Sequence, residues 1–204
     1  MLFFDTTFAQ VVGIAVALVI GITFHEFSHA FTADQLGDHR PRALGRVSLS
    51  PTAHIDPIGA LVFVLAGFGW GKPVPVNVYA LRPGRVGMAM VAAAGPIANV
   101  IVAVLAAVVF RVMNIAGVGG FALEVMYFVV LYNLLLAVFN LLPIPPLDGY
   151  NVVLAFVPAR TAFTIQRYSQ YGVLLLLLLV FLPGSPLGVM FDIVEAGTRI
   201  LIGA

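Results

Sequence analysis

Long uncharged apolar runs constrain this chain more than any other feature. Residues 8–33, 87–112 and 121–142 are dominated by Val, Ile, Leu, Ala, Phe and Gly, and residues 170–183 read QYGVLLLLLLVFLP. A bilayer core about 30 Å thick is crossed by a helix of roughly 20 apolar residues. Within that solvent only helices and closed barrels satisfy their own backbone, so the runs predict helices. Composition agrees: 61% of residues are hydrophobic and 9% charged, where soluble domains carry about a quarter charged. The expected fold is an all-α polytopic membrane protein with four to six transmembrane helices. It is expected to form one domain over residues 1–204, with no appended soluble domain, and to lie in the cell membrane as a multi-pass protein.

Several function classes drop out. The net charge is +1 and the ten Lys and Arg are scattered, so nucleic acid is not an expected partner. With no cysteine, a metal site must be built from His, Asp or Glu, and thiol chemistry is excluded. The first basic residue is Arg40, so the N-terminal run lacks the charged start of a signal peptide and is expected to be a retained span.

Two regions resist the simple pattern. Residues 47–79 contain one short apolar stretch, LVFVLAGF, among many Pro and Gly. Short strands or a re-entrant hairpin are expected there, forming a small membrane-associated re-entrant β element. Residues 187–203 place Asp192, Glu195 and Arg199 on one helical face, which suits an interfacial amphipathic helix or a fifth span.

Charge bias orients the chain. Arg40, Arg42, Arg46, Lys72, Arg82 and Arg85 lie between the first two spans, and Arg160 and Arg167 between the third and fourth. The basic loops are therefore expected in the cytoplasm. HEFSH (residues 25–29) and PPLDG (residues 145–149) then arrive at similar depth near the cytoplasmic face.

HEFSH is costly in hydrocarbon, and ionisable residues within a span point to function. His25 and His29, at i and i+4, share a helix face and can present imidazoles to one metal ion, with Glu26 in reach of a water at that ion. This is the HExxH pattern of zinc peptidases. Catalytic zinc takes three protein ligands and keeps an open position, so a third ligand must come from elsewhere. Asp148 is the best candidate, on the third span at matching depth; Glu124 belongs to the opposite side, and Asp34, one turn beyond the motif, is expected to be solvated. A chance match or a buried polar packing cluster is the plain alternative, and axial haem ligation fits poorly because i, i+4 histidines cannot take opposite axial positions. Zn²⁺ suits a His₂Asp set, as do related divalent ions.

The two motifs together resemble the site-2 proteases, intramembrane zinc metalloproteases that pair HExxH with NxxPxxPxDG. Here the second is Asn140, Pro143, Pro146, Asp148 and Gly149, and GRVSLSPTAHIDPIG, GWGKPVPVN and AAGPIAN are similar to the compact bacterial branch. The resemblance implies zinc on His25, His29 and Asp148, Glu26 as catalytic base, and a transmembrane or membrane-associated protein substrate. It also implies a substrate or transition-state role for Asn140, which is two helical turns before Asp148 and thus expected on roughly the same face; its other reading is a helix-packing amide. His54 either lines the entrance or is a turn histidine bonded to backbone. Asn99 reads as packing glue between helices, and an extended substrate segment is expected to pair with an edge in 47–79. A non-catalytic zinc-binding membrane protein, a transporter or adaptor, is the competing function. Oligomeric state is not legible.

Overall fold

The structure is a computed structural model that describes residues 7–66, 69–82, 84–182 and 187–204. The end of the expected fourth span at residue 183, and residues 67–68 of the expected β region, lie outside the described residues.

Helix α1 (Phe8–Gln35) starts at a capping box in which the Thr7 hydroxyl accepts from Gln10 N at 3.2 Å and the Gln10 side chain accepts from Thr7 N at 3.1 Å. These bonds satisfy two of the free amides at the helix start. The 28 residues extend about 42 Å at 1.5 Å each. Helix α2 (Arg40–Ala43) is a single turn, and α3 (Pro57–Ala66) follows a 3₁₀ turn at Pro51–Ala53. The long helices α4 (Arg85–Ile115) and α5 (Phe121–Asn140) come next, then α6 (Asp148–Phe156), α7 (Ala159–Tyr168), α8 (Gly172–Phe181) and α9 (Leu187–Ile202). Among the described residues, four segments are long and apolar enough to cross a membrane: Phe8–Gln35, Arg85–Ile115, Phe121–Asn140 and Ala159–Val180. The last is longer than the run at 170–183 suggests, because it begins in the more polar α7.

Small residues set the packing. Ala17 of α1, Ala103, Ala106 and Ala107 of α4 and Val129 and Val130 of α5 are buried together with Ile202 of α9. Small side chains let helix backbones approach where no hydrophobic effect drives them together. The opposite face of α4, with Ile97, Ile101, Leu105, Val108 and Val112, is exposed, as a lipid-facing stripe must be. Helix α9 lies on α5 and α4 with Met190, Val194, Thr198 and Ile202 buried. Arg111 near the end of α4 donates to the Leu201 and Ile200 carbonyls at 2.6 and 2.8 Å, so α9 ends at the same end of the bundle as α4.

The expected β element is absent: among the described residues no strand forms, and residues 47–79 hold α3 and one isolated bridge, Ile55 to Gly71. Residues 61–66 of LVFVLAGF turn helical because of the residues before them. Asp56 accepts from Ile58 N and Gly59 N at 2.9 Å each, and Pro57 occupies the first helical position, where a missing N–H costs nothing. Downstream, Pro73 and Pro75 remove two alternate amides from one edge of the extended segment 72–77, so that edge cannot donate to a ladder. The strand edge expected to pair with a substrate segment is therefore not seen among the described residues.

Two aspartates pin the loop after α1. Asp34 is buried, not solvated as expected: it accepts from Arg42 Nη2 at 2.7 Å and His39 Nδ1 at 2.9 Å. Asp38, also buried, takes Arg40 Nε and Nη2 at 2.9 Å each and Asn77 N at 2.6 Å. Through Asn77 it ties segment 72–82 to the bundle, where Leu81 packs against Ala33 and Val91.

Candidate metal centre

The site forms where α1, α4 and α6 meet. His25 and His29 lie on the buried face of α1, each only 7% exposed. Asp148 does not continue the third span as expected. Helix α5 stops at Asn140, residues 141–147 form turns around three prolines with a cis Pro145–Pro146 bond, and Asp148 opens α6. Asn140 and Asp148 are therefore on different helices, and the same-face relation expected of them is lost. The break has a reason: Pro143, Pro145 and Pro146 leave amides missing that a continuous helix needs. The reversal needs Gly149, since a Cβ there would run into the Leu141 and Leu142 carbonyls. A carboxylate in the first turn of a helix is favoured by the helix dipole.

The three groups converge. His25 Nε2 and His29 Nε2 are 3.0 Å apart, and Asp148 Oδ2 lies 3.0 Å from the first and 3.3 Å from the second. The other ring nitrogens face out of the cluster: His29 Nδ1 meets the Val91 carbonyl at 2.7 Å and His25 Nδ1 meets Asn99 Oδ1 at 2.6 Å. A carbonyl oxygen only accepts, so Nδ1 of each neutral ring carries the proton and each Nε2 presents a bare lone pair. Asp148 Oδ2 is buried and has no hydrogen-bond partner.

Three converging lone pairs in low dielectric repel one another unless a cation lies among them. Zinc, with bonds of about 2.0–2.1 Å in a tetrahedral arrangement, places its ligand atoms roughly 3.3 Å apart. The observed separations fit that spacing, and the residue types fit zinc. The site also depends on a missing side chain. A Cβ on Gly95 of α4 would stand 2.5 Å from His29 Nε2 and 2.6 Å from His25 Cε1.

Glu26 is half-buried beside this cluster, and a Cβ on Gly71 would lie 3.5 Å from its Oε1. The 69–72 segment thus passes next to the glutamate. His54 is fully buried outside the cluster. Its Nε2 donates to Ser48 O at 2.6 Å and its carbonyl accepts from Lys72 N at 2.6 Å, so it joins the 48–54 loop to the segment beside Glu26. Asn140 donates to Leu136 O at 2.9 Å, one turn back in its own helix. Glu124 sits at the other end of the bundle, where it accepts from the Thr7 hydroxyl at 3.4 Å. Asn99 is the residue that the sequence undervalues. Nothing in AAGPIAN separates a packing amide from one bonded to a candidate ligand, and only the approach of α4 to α1 does so.

Comparison with known proteins identifies the family. The profile of peptidase family M50 matches residues 113–182, which include Asp148. The chain is 33% identical over 192 residues to the putative zinc metalloprotease YwhC of Bacillus subtilis, covering 90% of this chain and 86% of that protein. It is 30% identical over 182 residues to the putative zinc metalloprotease Rip2 of Mycolicibacterium smegmatis, covering 84% and 69%, and 29% identical over 171 residues to Rip2 of Mycobacterium tuberculosis, covering 81% and 65%. No solved structure matches. The chain belongs to peptidase family M50, the site-2 protease family of zinc metalloproteases.

Proposed function

We propose that this protein is a zinc-dependent intramembrane endopeptidase that hydrolyses peptide bonds of transmembrane or membrane-associated proteins near the cytoplasmic face. The convergence of His25 Nε2, His29 Nε2 and Asp148 Oδ2 carries the proposal. These three residues hold the metal, and Glu26 is the catalytic base.

Zinc bound there supplies a Lewis acid that polarises the scissile carbonyl and makes a site water more acidic. The remaining chemistry belongs to the chain. Glu26 takes the water's proton as the water attacks and delivers it to the departing amine. Burial of the histidines keeps bulk water from competing for their nitrogens. Asn140, at the end of α5, contacts the substrate from the side of the proline turns. His54 supports the 71–72 segment next to Glu26. A helical substrate hides its carbonyls in i→i−4 bonds, so a segment must unwind before it reaches Glu26.

The cytoplasmic placement rests on charge. Six of the ten Lys and Arg lie between residues 40 and 85 at the end of the bundle that holds the site, whereas Arg111 and Arg199 lie at the other. The test is cleavage of a membrane-embedded reporter by wild type and Glu26→Gln in matched bilayers. Loss of a general base predicts a fall of about 10²–10⁴-fold with zinc content unchanged. Equal rates would exclude Glu26 as the base, and a wild type that binds zinc but cleaves nothing would favour a non-catalytic metal protein.

A further inference from the structure

The two histidines are oriented in different ways. His29 bonds directly to backbone, at Val91 O, whereas His25 depends on a side chain, Asn99, that is itself held by others. We propose that Asn99 is a positioning residue for the metal site. A buried relay of two amides, Asn133 to Asn99 to His25, holds the His25 imidazole as its Nδ1–H tautomer and keeps Nε2 open to the metal. The inference deepens the proposed function and rests on its reading of His25 as a ligand.

The direction of the relay is set at its two outer bonds, both to backbone carbonyls, which only accept. Asn133 Nδ2 donates to Val129 O at 2.8 Å, one turn back on α5, and this leaves Asn133 Oδ1 facing Asn99. Asn99 Nδ2 donates to that Oδ1 at 3.0 Å and to Gly21 O of α1 at 3.0 Å. Both amide hydrogens of Asn99 are then committed, so only its oxygen is left for His25 Nδ1, at 2.6 Å. An amide oxygen cannot donate, so the proton must be on the ring. Turning Asn99 over would set its oxygen against Gly21 O and Asn133 Oδ1 together. Turning Asn133 as well would leave the clash at Gly21 O and add one at Val129 O.

Burial makes this choice binding. Asn99 and Asn133 are both 0% exposed, so no water can repair a reversed amide. The approach depends on Gly21, four residues before His25. A Cβ there would stand 2.7 Å from Leu136 Cδ1 and 3.0 Å from Asn133 Oδ1. Three helices therefore fix one ring. Metal-bound histidines generally give their other N–H to such a partner, and loss of the partner typically lowers metal affinity 10–100-fold.

The test uses the full chain in bilayers with ¹⁵N-labelled histidine, read first without metal and then through Co²⁺ titration and its visible spectrum. Wild type is expected to show one Nδ1–H tautomer at His25. Asn99→Ala should mix the His25 tautomers, leave His29 unchanged, weaken Co²⁺ binding about 10–100-fold and alter the cobalt spectrum. Asn133→Ala, which cuts the relay one step further out, should shift both readouts the same way by less. Thr198→Val, which deletes another fully buried hydroxyl, bonded to Val194 O in α9, should change neither. A folded Asn99→Ala protein with a single His25 tautomer and wild-type cobalt affinity would overturn the proposal. If that variant does not fold, the same result for Asn133→Ala overturns it. A wild type that takes up no metal would remove the ligand reading, and the inference with it, whatever the tautomers show.

Discussion

At the scale of single residues the candidate site is decided as much by a hydrogen atom as by any ligand. Gly95 has none of the chemistry of HEFSH, yet a methyl group in its place would occupy the space beside both imidazoles. Gly95→Ala thus separates two effects that usually travel together. In a helix interior alanine is favoured over glycine by about 1 kcal/mol, so α4 should form at least as well. Zinc uptake should nevertheless fall by at least about tenfold, the scale of a disturbed ligand shell, with helicity by circular dichroism unchanged. Full zinc occupancy in Gly95→Ala would show that the histidines move aside freely. His25, Glu26 and His29 are legible in sequence because i, i+4 spacing is itself geometry. Gly95 and Asn99 are not, since their importance comes from which helix lies opposite.

At the scale of elements, the connections hold more of the design than the spans. Segment 72–82 has no ladder to keep it in place and relies on Asp38. The two bonds from Arg40, with the amide of Asn77, hold the Asp38 carboxyl down to about 2, well below the usual carboxylate range. A group whose folded value is depressed stabilises the fold fully above its unfolded value, near 3.9, and loses that contribution as pH falls through the folded value. Asp38's share is therefore complete at neutral pH and declines between about pH 4 and 2. Asp38→Ala should destabilise by about 1 kcal/mol at pH 7, the net worth of hydrogen bonds whose donors stay in reach of water, and should flatten the acid limb of the stability curve in that window. Thermal unfolding across pH, in detergent, checks both. An acid limb of unchanged shape would place the titration elsewhere. The same region shows why α3 escapes a reading by composition. A run of eight apolar residues suits strand or helix equally, and the Asp56-Pro57 cap is the deciding local signal.

At the scale of the whole molecule, orientation is the property with most at stake, because it decides which compartment supplies water and receives products. The absence of native cysteine makes it directly measurable. Tyr79, 98% exposed at the basic end, and Gly119, in the open turn between α4 and α5, lie at opposite ends of the bundle. With the basic loops in the cytoplasm, Gly119→Cys should react with an impermeant maleimide added to intact cells. Tyr79→Cys should react only after the membrane is opened. The reverse pattern would turn the molecule over and move the proposed cleavage to the outer face.

The amino-acid sequence alone determined the solvent, the presence of four spans and the chemistry of the candidate ligands. Hydropathy and short-range spacing are summed along the chain, and the bilayer leaves the backbone few alternatives. Tertiary structure alone decided that Asp148 starts a separate helix, that Asp34 is a buried anchor, and that Asn99 meets His25 in place of merely packing α4 against its neighbours. Each depends on residues far apart in the chain meeting at hydrogen-bond distance. No local pattern encodes that, because it is fixed by how closely small residues let the helices approach.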